Sequence, residues 1–212
     1  NAAPEFRVLA VGQQGKLTLN NTTIRNVHLH LEEDNYPYDC DRYTDGDAGA
    51  GILNQGELTI VGSTIRDNLV SSEYCSVEGG GIRNLGVLTI TGSTITNNEA
   101  NNDYYGVGSG GGISNAGTLT ITGSTINENV AYSWLGYAGG GGISNSGNLD
   151  ISSSMILNNA SDAFLGATGG GIQDNGTTII DDTTVKTNMA SARVAFGGGI
   201  YSSEWLTINN SR

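Results

Sequence analysis

One short string recurs along this chain at nearly constant spacing. Gly-Gly-Gly-Ile occurs five times, and a weaker Ala-Gly-Ile precedes it; the isoleucines are Ile52, Ile82, Ile113, Ile143, Ile172 and Ile200. Successive isoleucines are 30, 31, 30, 29 and 28 residues apart, and an earlier copy that we anchor at Val11 lies 41 residues before Ile52. Internal repeats of this length are typical of proteins that stack one structural unit along an axis.

Other residue types return at fixed distances from each isoleucine. A polar residue follows two positions later, at Asn54, Asn84, Asn115, Asn145 and Asp174, and a second polar column occupies Asn68, Asn98, Asn129, Asn159 and Asn188. Between these columns the strings Leu-Thr-Ile and Ser-Thr-Ile alternate apolar and polar residues, which predicts strands of three to five residues separated by glycine-marked turns. We expect the asparagines to point inward and to satisfy turn groups that the strands leave unpaired.

This pattern predicts an all-β, right-handed, single-stranded parallel β-helix of about seven coils, with about 28–31 residues per coil. A short strand with one apolar face is stable only when the next coil covers that face, so Leu88 should lie between Leu58 and Leu119. We expect residues 1–212 to form one domain, a piece of a longer chain, with a long acidic insert at residues 28–50.

Composition excludes several classes of function. The chain has 9 lysines and arginines against 21 acidic residues, a formal net charge of −12, which argues against nucleic acid as a partner. No apolar stretch reaches the roughly 20 residues of a membrane span, so we expect no insertion into a membrane.

The complete unit resembles repeats of known bacterial surface proteins. Gly-Gly-Gly-Ile followed by Ile-x-x-Asn is similar to the paired GGAI and FxxN signatures of polymorphic outer-membrane protein repeats, with isoleucine in place of phenylalanine. The longer unit, with Leu-Thr-Ile and Ser-Thr-Ile, resembles repeats of large secreted proteins of the CSLREA type. The resemblance covers about residues 8–211. It implies an extracellular or cell-surface location and a role that is often adhesive or unknown, and it carries over no catalytic residue.

Specific chemistry is expected in the variable arcs between the second asparagine and the next glycine run, because stacking brings these arcs onto one flank. Eight of the nine tyrosines lie there. The candidate ligand-binding residues are Tyr74, Tyr104, Tyr105, Tyr132, Trp134 and Tyr137. Aromatic faces beside polar groups are typical of sugar-binding surfaces, so polysaccharide or a cell surface is the expected partner. The alternative is that these rings pack on one another as a satellite core.

The first arc contains further candidates. Asp39, Asp41, Asp45 and Asp47 cluster around a glycine and could bind Ca²⁺, the one cofactor we consider, or form a solvated acidic loop. Cys40 and Cys75 lie in adjacent arcs and predict a disulfide in an oxidising environment. His28 and His30 alternate along a predicted strand and so share one face. This pair could form a transition-metal site, or it could simply belong to an exposed strand face.

The leading hypothesis is a non-enzymatic surface binding or structural module resembling an adhesin. One alternative is a fibre subunit that self-associates head to tail. The other is a polysaccharide lyase or hydrolase, which would need carboxylates fixed a few ångströms apart, whereas the acids on predicted strands are scattered.

Overall fold

The computed structural model describes residues 7–31 and 49–212, and every regular element within them is a β-strand. The first coil contains β1 (Leu9–Val11), β2 (Lys16–Asn20), β3 (Thr23–Arg25) and β4 (His28–His30). The second contains β5 (Ile52–Asn54), β6 (Glu57–Val61), β7 (Thr64–Arg66), β8 (Leu69–Ser72) and β9 (Val77–Glu78). The third contains β10 (Ile82–Asn84), β11 (Val87–Thr91), β12 (Thr94–Thr96), β13 (Glu99–Asn102) and β14 (Val107–Ser109).

The remaining coils repeat this order. The fourth contains β15 (Ile113–Asn115), β16 (Thr118–Thr122), β17 (Thr125–Asn127), β18 (Val130–Ser133) and β19 (Tyr137–Gly139). The fifth contains β20 (Ile143–Asn145), β21 (Asn148–Ser152), β22 (Met155–Leu157), β23 (Ala160–Ala163) and β24 (Gly166–Thr168). The sixth contains β25 (Ile172–Asp174), β26 (Thr177–Asp181), β27 (Thr184–Lys186), β28 (Met189–Ser191) and β29 (Val194–Phe196). The last has β30 (Ile200–Ser202) and β31 (Trp205–Asn209).

Corresponding strands of successive coils pair in parallel and form five sheets. Sheet A runs β1-β5-β10-β15-β20-β25-β30, and sheet B runs β2-β6-β11-β16-β21-β26-β31. Sheets C, beginning at β3, and D, beginning at β4, have six strands each; sheet E runs β9-β14-β19-β24-β29. The chain is therefore a parallel β-solenoid, as predicted. The predicted count of about seven coils includes two partial ones, because only the second to sixth coils contain all five strands in the described part of the chain.

The predicted apolar ladders form the core. Leu88 pairs with Leu58 on one side and with Leu119 on the other, and all three are at most 1% exposed. The first coil departs from the alignment by repeats, since Leu9, and not Val11, pairs with Ile52. The turn between β1 and β2 holds four residues where the next coil has two, so the predicted anchor at Val11 was wrong by two positions.

The two asparagine columns form hydrogen-bonded ladders inside the solenoid, as predicted. In the first, each amide donates to the next, with Asn84 Nδ2 2.7 Å from Asn115 Oδ1. This ladder ends at Asp174, whose carboxylate accepts from the Asn145 amide at 2.9 Å and from the Ser202 hydroxyl at 2.9 Å. In the second ladder the Asn129 side chain also bonds the turn, since its Oδ1 accepts the Asn98 backbone N–H at 3.0 Å.

Glycine is required where neighbouring coils approach most closely. A Cβ atom built on Gly86 would lie 2.1 Å from the carbonyl oxygen of Gly56 in the coil beside it. At the corner between sheets E and A, Gly110 adopts a φ of 63°, in the left-handed region that glycine occupies without steric cost. These corners bring the outward side chains of the two sheets close together.

Candidate functional site

The variable arcs form one flank of the solenoid, as their positions in the repeats predict. In the second to sixth coils, each arc supplies a strand of sheet D, a short turn and a strand of sheet E before the chain reaches the glycine corner. Two features lie side by side here. The turns between sheets D and E carry what we call the aromatic ridge, Tyr74, Tyr104, Tyr105 and Trp134, and the corner between sheets E and A contains a groove.

Tyr104 is at the centre of the aromatic ridge. Its ring centroid lies 5.4 Å from that of Tyr74, 4.4 Å from that of Tyr105 and 5.8 Å from that of Trp134, all in edge-to-face geometry. Aromatic pairs favour this arrangement because the positive ring edge meets the negative face. Tyr105 and Trp134 nevertheless remain 63% and 55% exposed. The ridge therefore combines mutual packing with open ring surface.

The other two predicted residues lie apart from the ridge. Tyr132 belongs to β18, where it pairs with Asn101 and Asp162 of the neighbouring strands and is half-buried. Tyr137 begins β19 and lines the groove. Four of the six predicted residues thus form one cluster, one belongs to the groove, and one contributes to neither.

The groove, which we call the corner groove, has a volume of about 480 Å³. Its lining residues are Val107, Tyr137, Ala138, Gly139, Leu165, Gly166, Ala167, Thr168, Gln173, Asn175, Val194, Phe196 and Tyr201. Two glycines let side chains of neighbouring coils lie along the groove. A Cβ on Gly139 would lie 1.9 Å from Gln173 Oε1, and one on Gly166 would lie 2.9 Å from the Tyr137 ring. Gln173 and Tyr137 therefore lie where a side chain at position 139 or 166 would otherwise be.

A row of polar side chains leads along the same corner toward the groove. Arg83 forms an ion pair with Glu78 at 2.5 Å and donates to the Ser114 hydroxyl at 2.6 Å. The neighbouring coils contribute hydroxyls, and the Ser144 hydroxyl lies 3.5 Å from Gln173 Oε1. Charge is thus paired at one end of the row, and the row becomes uncharged where it reaches the corner groove.

A small acidic cleft of about 280 Å³ lies beside the ridge, lined by Glu73, Tyr74, Asp103 and Tyr104. Close by, burial and then the negative charge of Asp103 raise the pKa of Glu99 above its ordinary value. Both causes disfavour the charged form of the Glu99 carboxyl group. The edge of the ridge is therefore electrostatically unfavourable for additional negative charge.

The predicted metal sites have different outcomes. Asp39, Asp41, Asp45 and Asp47 lie outside the described residues, so the calcium site stays a prediction. His28 and His30 both contact the Ser71 hydroxyl, at 3.0 and 2.9 Å. Across residues 7–31 and 49–212, no group of three or more histidine, cysteine or acidic side chains is placed to hold a metal ion.

The predicted disulfide also involves a residue outside the described part of the chain, Cys40. Its predicted partner, Cys75, is 2% exposed, and its backbone N–H donates to the Ser72 hydroxyl at 3.0 Å. The Cys40–Cys75 pairing stays a prediction that chemistry can test.

Gln173 and Tyr201 were not predicted as site residues, although both line the groove. They share one signal, since each directly follows the isoleucine that anchors its coil and so points outward from sheet A. Phe196 also lines the groove and was likewise not predicted as a binding residue. Its ring centroid lies 6.2 Å from that of Tyr201, a contact across the glycine corner that spacing alone does not reveal.

Searches against protein-family models, curated proteins and solved structures give no match to this chain. Among the residues that the structure describes there is no helix able to cross a membrane.

Proposed function

We propose that this chain is a secreted, cell-surface binding module, adhesin-like in role, whose aromatic ridge contacts carbohydrate. The observation that carries the proposal is the pair of half-exposed rings, Tyr105 and Trp134, held on Tyr104 by edge-to-face contacts. A ring fixed by its neighbours offers apolar area to a sugar face without losing much side-chain entropy on binding. Tyrosine hydroxyls add hydrogen-bonding groups beside that area.

The surface location rests on the repeat. The glycine-isoleucine and Ile-x-x-Asn signatures resemble those of polymorphic outer-membrane and CSLREA-type repeats, which implies a bacterial surface protein. The predicted Cys40–Cys75 disulfide agrees with an oxidising, extracellular environment. The solenoid supplies a rigid rod on which successive coils present the same flank.

A glycan array probed with the intact chain tests this function. We expect saturable binding that Trp134→Ala reduces and that Trp205→Ala leaves unchanged. Trp205 is a matched control because it is a tryptophan 79% exposed on sheet B, on a different part of the solenoid. Running the array with calcium and again with a chelator tests whether the acidic insert contributes.

The same samples separate the alternatives. Chain-length analysis of the bound glycans would reveal shortened or unsaturated products if the protein were a hydrolase or lyase. Absence of binding under both conditions would refute the carbohydrate proposal. In that case, filaments in electron micrographs at high protein concentration would favour the head-to-tail fibre.

A further inference from the structure

The corner groove is a second surface on the flank, separate from the aromatic ridge. It runs along the solenoid axis, because Val107, Tyr137, Gly166 and Val194 are register partners in four successive coils. Parallel strands are about 4.8 Å apart, so three steps give a length of about 14 Å. One residue of an extended sugar chain has a length similar to one such step. The groove therefore has the length of a short stretch of linear polymer.

The lining of the groove is uncharged. Its residues are apolar, aromatic, amide or hydroxyl-bearing, although the whole chain has a net charge of −12. A charged ligand would lose its water here without gaining an opposite charge, which is costly. An anionic ligand would also meet the negative field of the protein. The charge pattern therefore selects a neutral ligand.

The polar groups in the groove are suited to hydroxyls. The Gln173 side chain is half-buried, and in the described part of the chain its Nε2 has no protein acceptor within hydrogen-bonding distance. Asn175 adds a second amide, and Phe196 and Tyr201 place two rings 6.2 Å apart with an interplanar angle of 37°. Rings beside amide donors and acceptors recognise sugars, which are apolar on their faces and polar at their edges.

From this geometry we infer that the corner groove binds a neutral, linear oligosaccharide segment aligned with the solenoid axis, with Gln173 bonding its hydroxyls and Tyr201 contacting a sugar face. This inference rests on the proposed carbohydrate-binding function and assigns a part of the flank to it. It also defines the chemical class of the ligand as an uncharged glycan chain.

Isothermal titration calorimetry with the intact chain tests the inference. The probes are neutral gluco-, manno-, xylo- and galacto-oligosaccharides from disaccharide to hexasaccharide, with oligogalacturonates as the acidic counterpart. We expect at least one neutral series to bind, with affinity rising until the chain fills about three coil spacings and then levelling off. Oligogalacturonates should bind more weakly than neutral chains of equal length.

Two groove variants and one control outside both surfaces test the assignment of binding to the groove. Gln173→Ala and Tyr201→Ala should each weaken binding of the best neutral chain by about tenfold, as expected for loss of one amide hydrogen bond or one ring contact. Tyr132→Ala removes a tyrosine that belongs to neither the groove nor the ridge and should leave that affinity within about threefold. Thermal melts of all three variants establish that they are folded.

Three results would overturn the inference. They are tighter binding of the acidic chains, affinity that does not depend on chain length, and folded groove variants that bind as the unaltered protein does. If glycan-array binding disappears in Trp134→Ala but persists in the groove variants, the proposed function holds and the groove assignment fails. If no glycan binds in either experiment, both fail.

Discussion

Truncation of Asn129 tests the role of the internal asparagine ladders. This side chain is fully buried. Its Oδ1 accepts both the backbone N–H and the side-chain amide of Asn98, each at 3.0 Å. Its Nδ2 donates to the carbonyl of Ile95 and to Asn159 Oδ1, also at 3.0 Å. Asn129→Ala therefore removes four hydrogen bonds between the coil that contains it and its two neighbours.

The size of the effect follows from the groups left behind. The Asn98 amide retains acceptors in Ile65 and Thr96, and Asn159 Oδ1 retains the Asn129 backbone N–H. The Asn98 backbone N–H and the Ile95 carbonyl each lose a buried partner, at about 1–3 kcal/mol apiece. We expect the free energy of unfolding to fall by about 3 kcal/mol, which for a chain of this size lowers the melting temperature by about 6–12 °C.

Two measurements check this prediction. Urea denaturation gives the change in unfolding free energy, and hydrogen exchange should show faster exchange at the Asn98 amide than at amides two coils away. The control is Asn127→Ala, two residues earlier at the end of β17 and not fully buried, which should change stability by less than about 0.5 kcal/mol. Equal, small effects of the two substitutions would refute the view that the ladder satisfies the turns.

Three further predictions concern other parts of the chain. Burial and the charge of Asp103 raise the pKa of Glu99 in the folded protein above its ordinary 4.5. The contribution of Glu99 to folding stability is therefore fully present below pH 4.5 and is lost as the pH rises through the raised pKa of the folded state. Glu99→Gln should therefore stabilise the protein at neutral pH and have no effect in acid, as urea titrations at the two pH values would show. Gly86→Ala places a methyl 2.1 Å from a carbonyl oxygen, whereas a Cβ on Gly12 would have nothing within 4 Å. Thermal melts should show severe loss for the first and little for Gly12→Ala. Reduction should lower the stability of the protein by about 2–4 kcal/mol if the predicted disulfide at Cys75 forms, and mass spectrometry under non-reducing conditions would identify the linked peptides.

The fold follows from the sequence because one physical requirement acts at every repeat. A buried residue such as Leu88 must meet its equivalent in the next coil, so residue spacing alone predicts register. Strand β1 escaped this reasoning because two additional turn residues lie between it and β2, although β2 and β3 keep the predicted register. Spacing within a repeat cannot tell which side of such an insertion keeps the register.

The candidate site was predictable only in part. Ring positions in the arcs predicted the ridge, since stacked turns bring Tyr104 and Trp134 together. The corner groove depends on two absent side chains, at Gly139 and Gly166, and on Gln173 lying over the first of them. Such a space is a property of neighbouring coils together, and the residue spacing within a single repeat does not predict it.

Asp174 has a consequence for how identical units find their partners. In the first ladder every asparagine amide both donates and accepts hydrogen bonds. As far as this ladder is concerned, such coils could therefore stack in a different order with little loss of hydrogen bonding. A carboxylate accepts hydrogen bonds and donates none, and here it receives them from both neighbouring coils. The coil that follows must therefore present a hydrogen-bond donor to Asp174, as Ser202 does. An asparagine in that place would have to turn its NH₂ group toward Asp174, opposite to the amide orientation in the rest of the ladder. One acidic residue thus fixes which kind of coil can follow in the first ladder, which discourages slipped or exchanged coils between copies of the chain.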